Sequence, residues 1–322
     1  MTIDELKKNL RSKSYGFPFF LKLVEEKRFF NSELRLNIEK RSSNTLVFNE
    51  PIEEVFEIKD THFAECYDAV ANGEGGEKRK IHSLRSSSLL GLLSFYKVHS
   101  GHFIEMDRTI NGNNIHFLFD KVVFEKTNRV FHPSRGLSSI DIALYGTGNE
   151  EPCVLYLESK FTEYLERKDM KIDKGGKKTY PISRKYAKYY QSLLPNFPGL
   201  DFSINNKGIC LFSNDGVPHY CDGIKQMISH YIGAKNSDDL FKGLKVYLGT
   251  ILFDFSKSIS NVDSDRKIIG DYCALYTEIA KRMNALGQKN LIVVEDAWTY
   301  QDFFKNTGVY QLDPFVKQYY FL

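Results

Sequence analysis

SSIDIALYGTGNEEPCVLYLESKFTE, residues 138–163, carries the most informative pattern in the chain. Two apolar runs, SSIDIALYG and CVLYLESKF, flank a segment rich in turn formers from Gly146 to Pro152, and this pattern predicts two consecutive strands. Side chains two apart on a strand point the same way, so Glu158 and Lys160 share a face, and Asp141 on the neighbouring strand reaches the same pocket edge. Burying such charges costs several kcal/mol each unless they are paired or hold a metal. An isolated Glu-x-Lys is more often a structural ion pair on the wet face of an edge strand. Here an Asp one hairpin upstream, apolar flanks and a basic segment just downstream weigh against that reading.

Properties of the whole chain narrow the classes. With 322 residues the chain can bury a substantial core, as one large domain or a catalytic domain with an added module. The formal net charge is only +3, so any nucleic-acid footprint has to be local. The 25 Phe and 19 Tyr fill a core or stack on bases equally well and do not discriminate. Cys66, Cys153, Cys210, Cys221 and Cys273 lie far apart without a CxxC pair, which speaks against structural zinc and for a reduced intracellular chain. No apolar run reaches about 18 residues and no signal-peptide pattern opens the chain, so no membrane partner and a cytoplasmic location are expected.

The remaining segments arrange themselves around the hairpin. Thr2 and Glu5 form a capping-box pattern, residues 17–30 read as helical after Pro18, and residues 33–48 alternate. A linker-like break at residues 72–76 separates an N-terminal arm or subdomain, 1–76, from a catalytic domain, 77–322. Residues 83–98 predict a helix with Leu84, Leu89, Leu92 or Leu93 and Tyr96 buried, its propensity lowered by Ser86, Ser87 and Ser88. Residues 115–126 predict a strand or bent hairpin. Between Phe161 and Tyr190 nine basic residues face four acidic ones, a local net of +5. Within it DKGGKKTYP, residues 173–181, reads as a loop and residues 183–194 as a helix. Strands are expected at 208–212, 245–255 and 291–295. A helix ending at Tyr231 carries Gln226 and His230 at i and i+4, His230 being read as a satisfied structural histidine. Residues 269–286 give the cleanest amphipathic helix, with Ile269, Tyr272, Tyr276, Ile279, Met283 and Leu286 as its stripe and Gly287 as its stop. The aromatic tail is expected to dock on the core.

At Asp141 and Glu158-Ser159-Lys160 the chain resembles the PD-(D/E)xK nuclease superfamily, with Ile140 where a proline often stands. With SLRSSSLLGLLSFY, GLSSIDIAL, LYLESKFTE and IKQMISHYIG in order, over roughly residues 80 to 305, it resembles a bacterial restriction-endonuclease-like branch. The resemblance implies an α/β fold: a restriction-endonuclease-like αβα core, its central mixed sheet flanked by helices, with N- and C-terminal additions. It also implies a Mg2+-dependent nuclease, with Mn2+ as substitute, that cuts double-stranded DNA to a 5′-phosphate and a 3′-hydroxyl. Asp141 and Glu158 would hold the metal, Glu125 would be an accessory ligand and Glu105 a weaker rival for that place. Lys160 would orient or help deprotonate the attacking water, and Gln191 would position water or phosphate. Arg85, Lys177, Lys178, Arg184 and Lys188 are candidates for the DNA backbone, and Glu163 for a water near the metal. A homodimer and a cognate DNA methyltransferase are the partners such a restriction enzyme implies. Two other classes stay open: a repair, recombination or RNA-directed nuclease of the same fold, and a non-catalytic nucleic-acid-binding scaffold.

Overall fold

A computed structural model of the chain describes residues 2–10, 17–30, 37–42, 45–73, 80–131, 136–162, 171–172, 178–182, 184–197, 201–205, 208–212, 221–258, 263–307, 310–320 and 322. At its centre is a seven-stranded mixed sheet. Its strands are β1 (Ile104–Ile110), β2 (Asn113–Phe131), β3 (Gly136–Gly148), β4 (Glu151–Lys160), β5 (Lys245–Leu252), β6 (Leu291–Val293) and β7 (Trp298–Thr299). The spatial order is β6-β5-β4-β3-β2-β1, with β7 also on β5. Strands β1 to β4 run antiparallel to one another; β5 is parallel to β4, and β6 and β7 are parallel to β5.

Most of residues 138–163 form the β3–β4 hairpin, whose turn is shorter than the run of turn formers predicts. Only Asn149 and Glu150 lie outside the strands, with φ of 49° and 67°. Positive φ at both loop positions gives the backbone twist that two-residue hairpins favour. Gly146 belongs to β3 for a different reason: a Cβ there would stand 1.9 Å from the Leu118 carbonyl oxygen. Pro152 precedes Cys153, the first residue of β4 matched by β5, so its lack of an N–H falls outside that ladder.

Helices cover both faces. Helix α1 (Ser87–Phe95) packs on β3 and β4, and α2 (Cys221–Lys235) on β2, β3 and β5. Helix α3 (Asp263–Ala285) lies against β6 and α2. Of the three serines, Ser86 lies ahead of α1 and starts it: its hydroxyl accepts from the Leu89 N–H at 3.1 Å, a cap that stabilises by about 1 kcal/mol. On α3 the stripe from Ile269 to Met283 is buried as its period requires. Leu286 is not: the helix ends at Ala285, Gly287 turns with φ 68°, and Leu286 is exposed.

Chain ends and sheet share one apolar core. Phe19 and Phe20, from the helix Phe17–Glu25, meet Phe161 edge-on, one residue past Lys160. Tyr320, from the helix Pro314–Tyr320, packs on Phe161 and Phe253, and Tyr319 on Phe29 and Phe56. The capping box at Thr2 and Glu5 is formed. Among the described residues no helix is long and apolar enough to cross a membrane.

The sheet curls until its outer members meet. In the β1–β2 turn, the Asn111 amide donates to the Val293 carbonyl and accepts from the Glu295 N–H, while Arg108 of β1 donates to the Asp302 carbonyl. From α3, Asn284 takes both the N–H and the carbonyl of Val293.

A buried carboxylate ties three strands together. Asp239, in the short helix Asp238–Phe241, accepts from the hydroxyls of Tyr145 (β3) and Tyr156 (β4), and Lys126 (β2) stands 3.5 Å away. Burial pushes this carboxyl up, but the bonds from Tyr156 and Tyr145 and the Lys126 charge prevail and hold it below the usual range. A carboxylate depressed in the folded state adds stability above its unfolded pKa of about 3.9 and loses it as pH falls through the folded value. Asp239→Asn is therefore expected to cost about 2–3 kcal/mol at neutral pH and to flatten the decline in stability below about pH 4. Urea melts across that range measure both effects.

Candidate active site

Alternation along β4 divides its last residues between two faces. Ser159 points to α1, where its hydroxyl donates to the Ser87 carbonyl at 2.9 Å and bonds the Tyr300 hydroxyl at 2.7 Å. Glu158 and Lys160 point to α2 and are buried, at 6% and 7% exposure. Lys160 Nζ donates to Glu158 Oε1 at 2.5 Å and to Gln226 Oε1 at 2.9 Å. His230 Nε2 lies 2.8 Å from Glu158 Oε2, and its Nδ1 bonds Ser138 Oγ at 2.6 Å. The i, i+4 pair on α2 thus meets both charged residues of Glu-x-Lys. His230 is buried as expected but not fully satisfied: its Nδ1 is hydrogen-bonded, while Nε2 faces Glu158 outside hydrogen-bond geometry.

Asp141 approaches from β3, its Oδ2 accepting the Ser159 N–H at 2.8 Å. Opposite it on β2, between the pairs Phe124↔Ile142 and Lys126↔Ile140, comes Glu125 with φ 49°. Glu125 accepts from the Ser139 hydroxyl at 2.6 Å. Its side chain packs so closely on Gly73 that a Cβ there would stand 2.7 Å from Glu125 Cγ.

The two central carboxylates differ sharply in their electrostatics. Burial pushes Asp141 well above the carboxylate range, Glu158 and Glu125 add repulsion, and Lys160 and the Ser159 N–H do not offset them. Glu158 is also pushed up by burial, but the charges of Lys160 and His230 and the bond from Lys160 outweigh this and bring it down to about 2. Positive charge is thus well supplied at Glu158 and short at Asp141. Asp141→Asn keeps an acceptor for Ser159 and removes the repulsion, so it is expected to stabilise the protein in EDTA by about 1–2 kcal/mol. A thermal melt beside wild type checks this.

Tyr272 of α3 also borders the site. It is close enough to Lys160 and Glu158 to feel both charges, and burial pushes its hydroxyl up to about 12. From sequence it is simply one member of an apolar stripe.

The remaining sequence candidates fall on other elements or outside the described residues. Gln191 is exposed on the helix Ala187–Leu193, and Gln226 supplies the amide that meets Lys160. Lys188 is exposed on that same helix. The Arg85 guanidinium sits over the Phe20 ring at 4.9 Å. Glu105 faces His116 on the surface of the β1–β2 hairpin. Lys178 opens the strand Lys178–Ile182 and Arg184 the 3-10 turn Arg184–Tyr186. Lys177 and Glu163 fall outside the described residues.

Among the described residues no three His, Cys, Asp or Glu side chains form a ready cage for a cation. Mg2+ does not require one: it keeps several waters and binds through one or two carboxylates plus substrate phosphates. Asp141 and Glu158 on neighbouring strands, with the charge deficit at Asp141, fit that donor set. Comparison with family models, with curated proteins and with solved structures finds no match to the chain.

Proposed function

We propose that the chain is a metal-dependent endonuclease that hydrolyses DNA phosphodiester bonds, of restriction or defence type. The observation that carries this reading is the half-buried Asp141 beside the buried pair Glu158 and Lys160 at the seam of β3 and β4, with Asp141 short of positive charge. Helix α1 before the antiparallel strands β1 to β4 and helix α2 before β5, with β5 parallel to β4 and helices on both faces, support the restriction-endonuclease-like core that the sequence resembles.

In the reaction water attacks phosphorus and the bond to the 3′ oxygen breaks, leaving a 5′-phosphate and a 3′-hydroxyl. Asp141 and Glu158, with Glu125 as accessory ligand, would hold Mg2+ or Mn2+, which when bound would supply charge neutralisation and a water of lowered pKa. Lys160, oriented by Gln226, donates to the oxygen on which charge builds and steers the attacking water. Burial of Glu158 and Lys160 strengthens these interactions by excluding solvent. Lys188 and Arg184 follow β4 in the chain and would track the DNA backbone. Cutting both strands with one site per chain calls for a homodimer, and a restriction role for a cognate methyltransferase.

The test is cleavage of unmethylated plasmid and phage DNA, with RNA alongside, in Mg2+ or Mn2+ and in EDTA. Discrete DNA fragments that vanish in EDTA are the expected result. Cleavage of RNA alone would move the substrate class, and binding without cleavage of either would leave a scaffold protein in place of the enzyme.

A further inference from the structure

We infer that Ser138 and His230 are positioning residues: a buried strut that fixes the orientation of Glu158 for metal binding, an inference that rests on the nuclease reading above. The strut joins three elements. Ser138 Oγ on β3 bonds His230 Nδ1 on α2 at 2.6 Å, and His230 Nε2 lies 2.8 Å from Glu158 Oε2 on β4. All three side chains are buried, with exposures of 3%, 6% and 6%.

A glutamate has three side-chain torsions, the last of them broad, so a carboxylate at a strand end does not hold one orientation unaided. Both Glu158 oxygens face a nitrogen: Oε1 accepts from Lys160, and Oε2 stands 2.8 Å from His230 Nε2, a close contact outside hydrogen-bond geometry. The imidazole is in turn fixed from its far side by Ser138. The depth of α2 on the sheet sets the span of the strut: Gly233, one turn beyond His230, sits where a Cβ would stand 3.0 Å from Ser138 Cβ and 3.2 Å from Asn128 Cβ. Groups that hold a ligating carboxylate from behind typically matter about 10–100-fold for metal affinity. Lys160 is committed to the chemistry, which leaves the strut as the fixed hold on Glu158.

The experiment is a calorimetric titration of the whole chain with Mn2+, comparing wild type, His230→Ala, His230→Gln, Ser138→Ala and Asp141→Ala, with a thermal melt of each. His230→Ala is expected to weaken Mn2+ binding about 10–100-fold. Ser138→Ala should weaken it in the same direction by less, and His230→Gln, whose amide nitrogen can take the place of Nε2 beside Glu158, should recover most of the loss. The Mn2+ concentration for half-maximal cleavage should move in parallel, with a smaller change in rate at saturating metal. Wild-type Mn2+ affinity in a folded His230→Ala overturns the inference, as do equal losses in His230→Ala and His230→Gln that follow their melting temperatures. Should His230→Ala not fold, unchanged affinity in Ser138→Ala overturns it. A wild type that binds no Mn2+, with Asp141→Ala indistinguishable from it, brings down the metal reading itself, a different outcome from loss of the strut alone.

Discussion

Lys160→Ala is expected to slow DNA cleavage about 10²–10³-fold at saturating Mg2+, the size of effect seen when one preorganised donor to developing charge is removed. The expectation rests on where the ammonium stands. Its partners, Glu158 Oε1 and Gln226 Oε1, hold it beside the carboxylate proposed as a metal ligand, in a site closed to bulk water. Lys160→Arg should not restore activity, because a planar fork cannot occupy the place of a compact point charge between those two oxygens. Removing one member of a buried pair also destabilises, by about 3–5 kcal/mol, so rates must be taken per folded molecule at a temperature where the variant is native. Asp141→Ala should lose at least as much activity. The double variant should be little worse than either single one, because residues acting as a unit are not additive. Supercoiled plasmid cleavage followed by gel, with EDTA controls, measures all four variants.

Gly146→Ala is expected to be the most damaging single methyl in the described core, costing about 3–5 kcal/mol. The added carbon would stand 1.9 Å from the Leu118 carbonyl oxygen and 2.8 Å from Phe119 Cα, both main-chain atoms of β2. No rotamer change relieves a clash with backbone. The two strands would have to part beside the register shift between Phe119 and Lys121. Gly148→Ala is the control: its new Cβ meets only side-chain atoms of Phe117 and Ile115, at 3.2 and 3.3 Å, which can yield. Its cost should be about 1 kcal/mol or less. Guanidinium melts of the two variants beside wild type decide the comparison.

Much of this architecture is legible in the chain because it rests on local periods. A period of two puts Glu158 and Lys160 on one face and Ser159 on the other, and a period near 3.6 puts Gln226 and His230 one turn apart. The hairpin turn is not legible: its two left-handed positions fall on Asn149 and Glu150, while the more suggestive Gly146, Gly148 and Pro152 serve the strands. Partner choice is not legible either, since it is settled by tertiary packing. Gln191 and Gln226 are equally plausible amides on helices after Glu-x-Lys, and only the placement of α2 brings one of them to Lys160. Tyr272 hides among apolar stripe residues whose spacing it shares. Arg85 reads as a basic residue near a site, yet its plane lies over Phe20.

The amides of Asn111 and Asn284 have a consequence for assembly. Strand β6 is the last of its sheet on that side, and the Val293 main-chain groups that would receive a further strand are already bonded, the N–H to Asn284 and the carbonyl to both asparagines. With its backbone donor and acceptor used, Val293 offers no template for strand addition. The homodimer proposed above would therefore not extend one sheet across two copies through β6 at Val293.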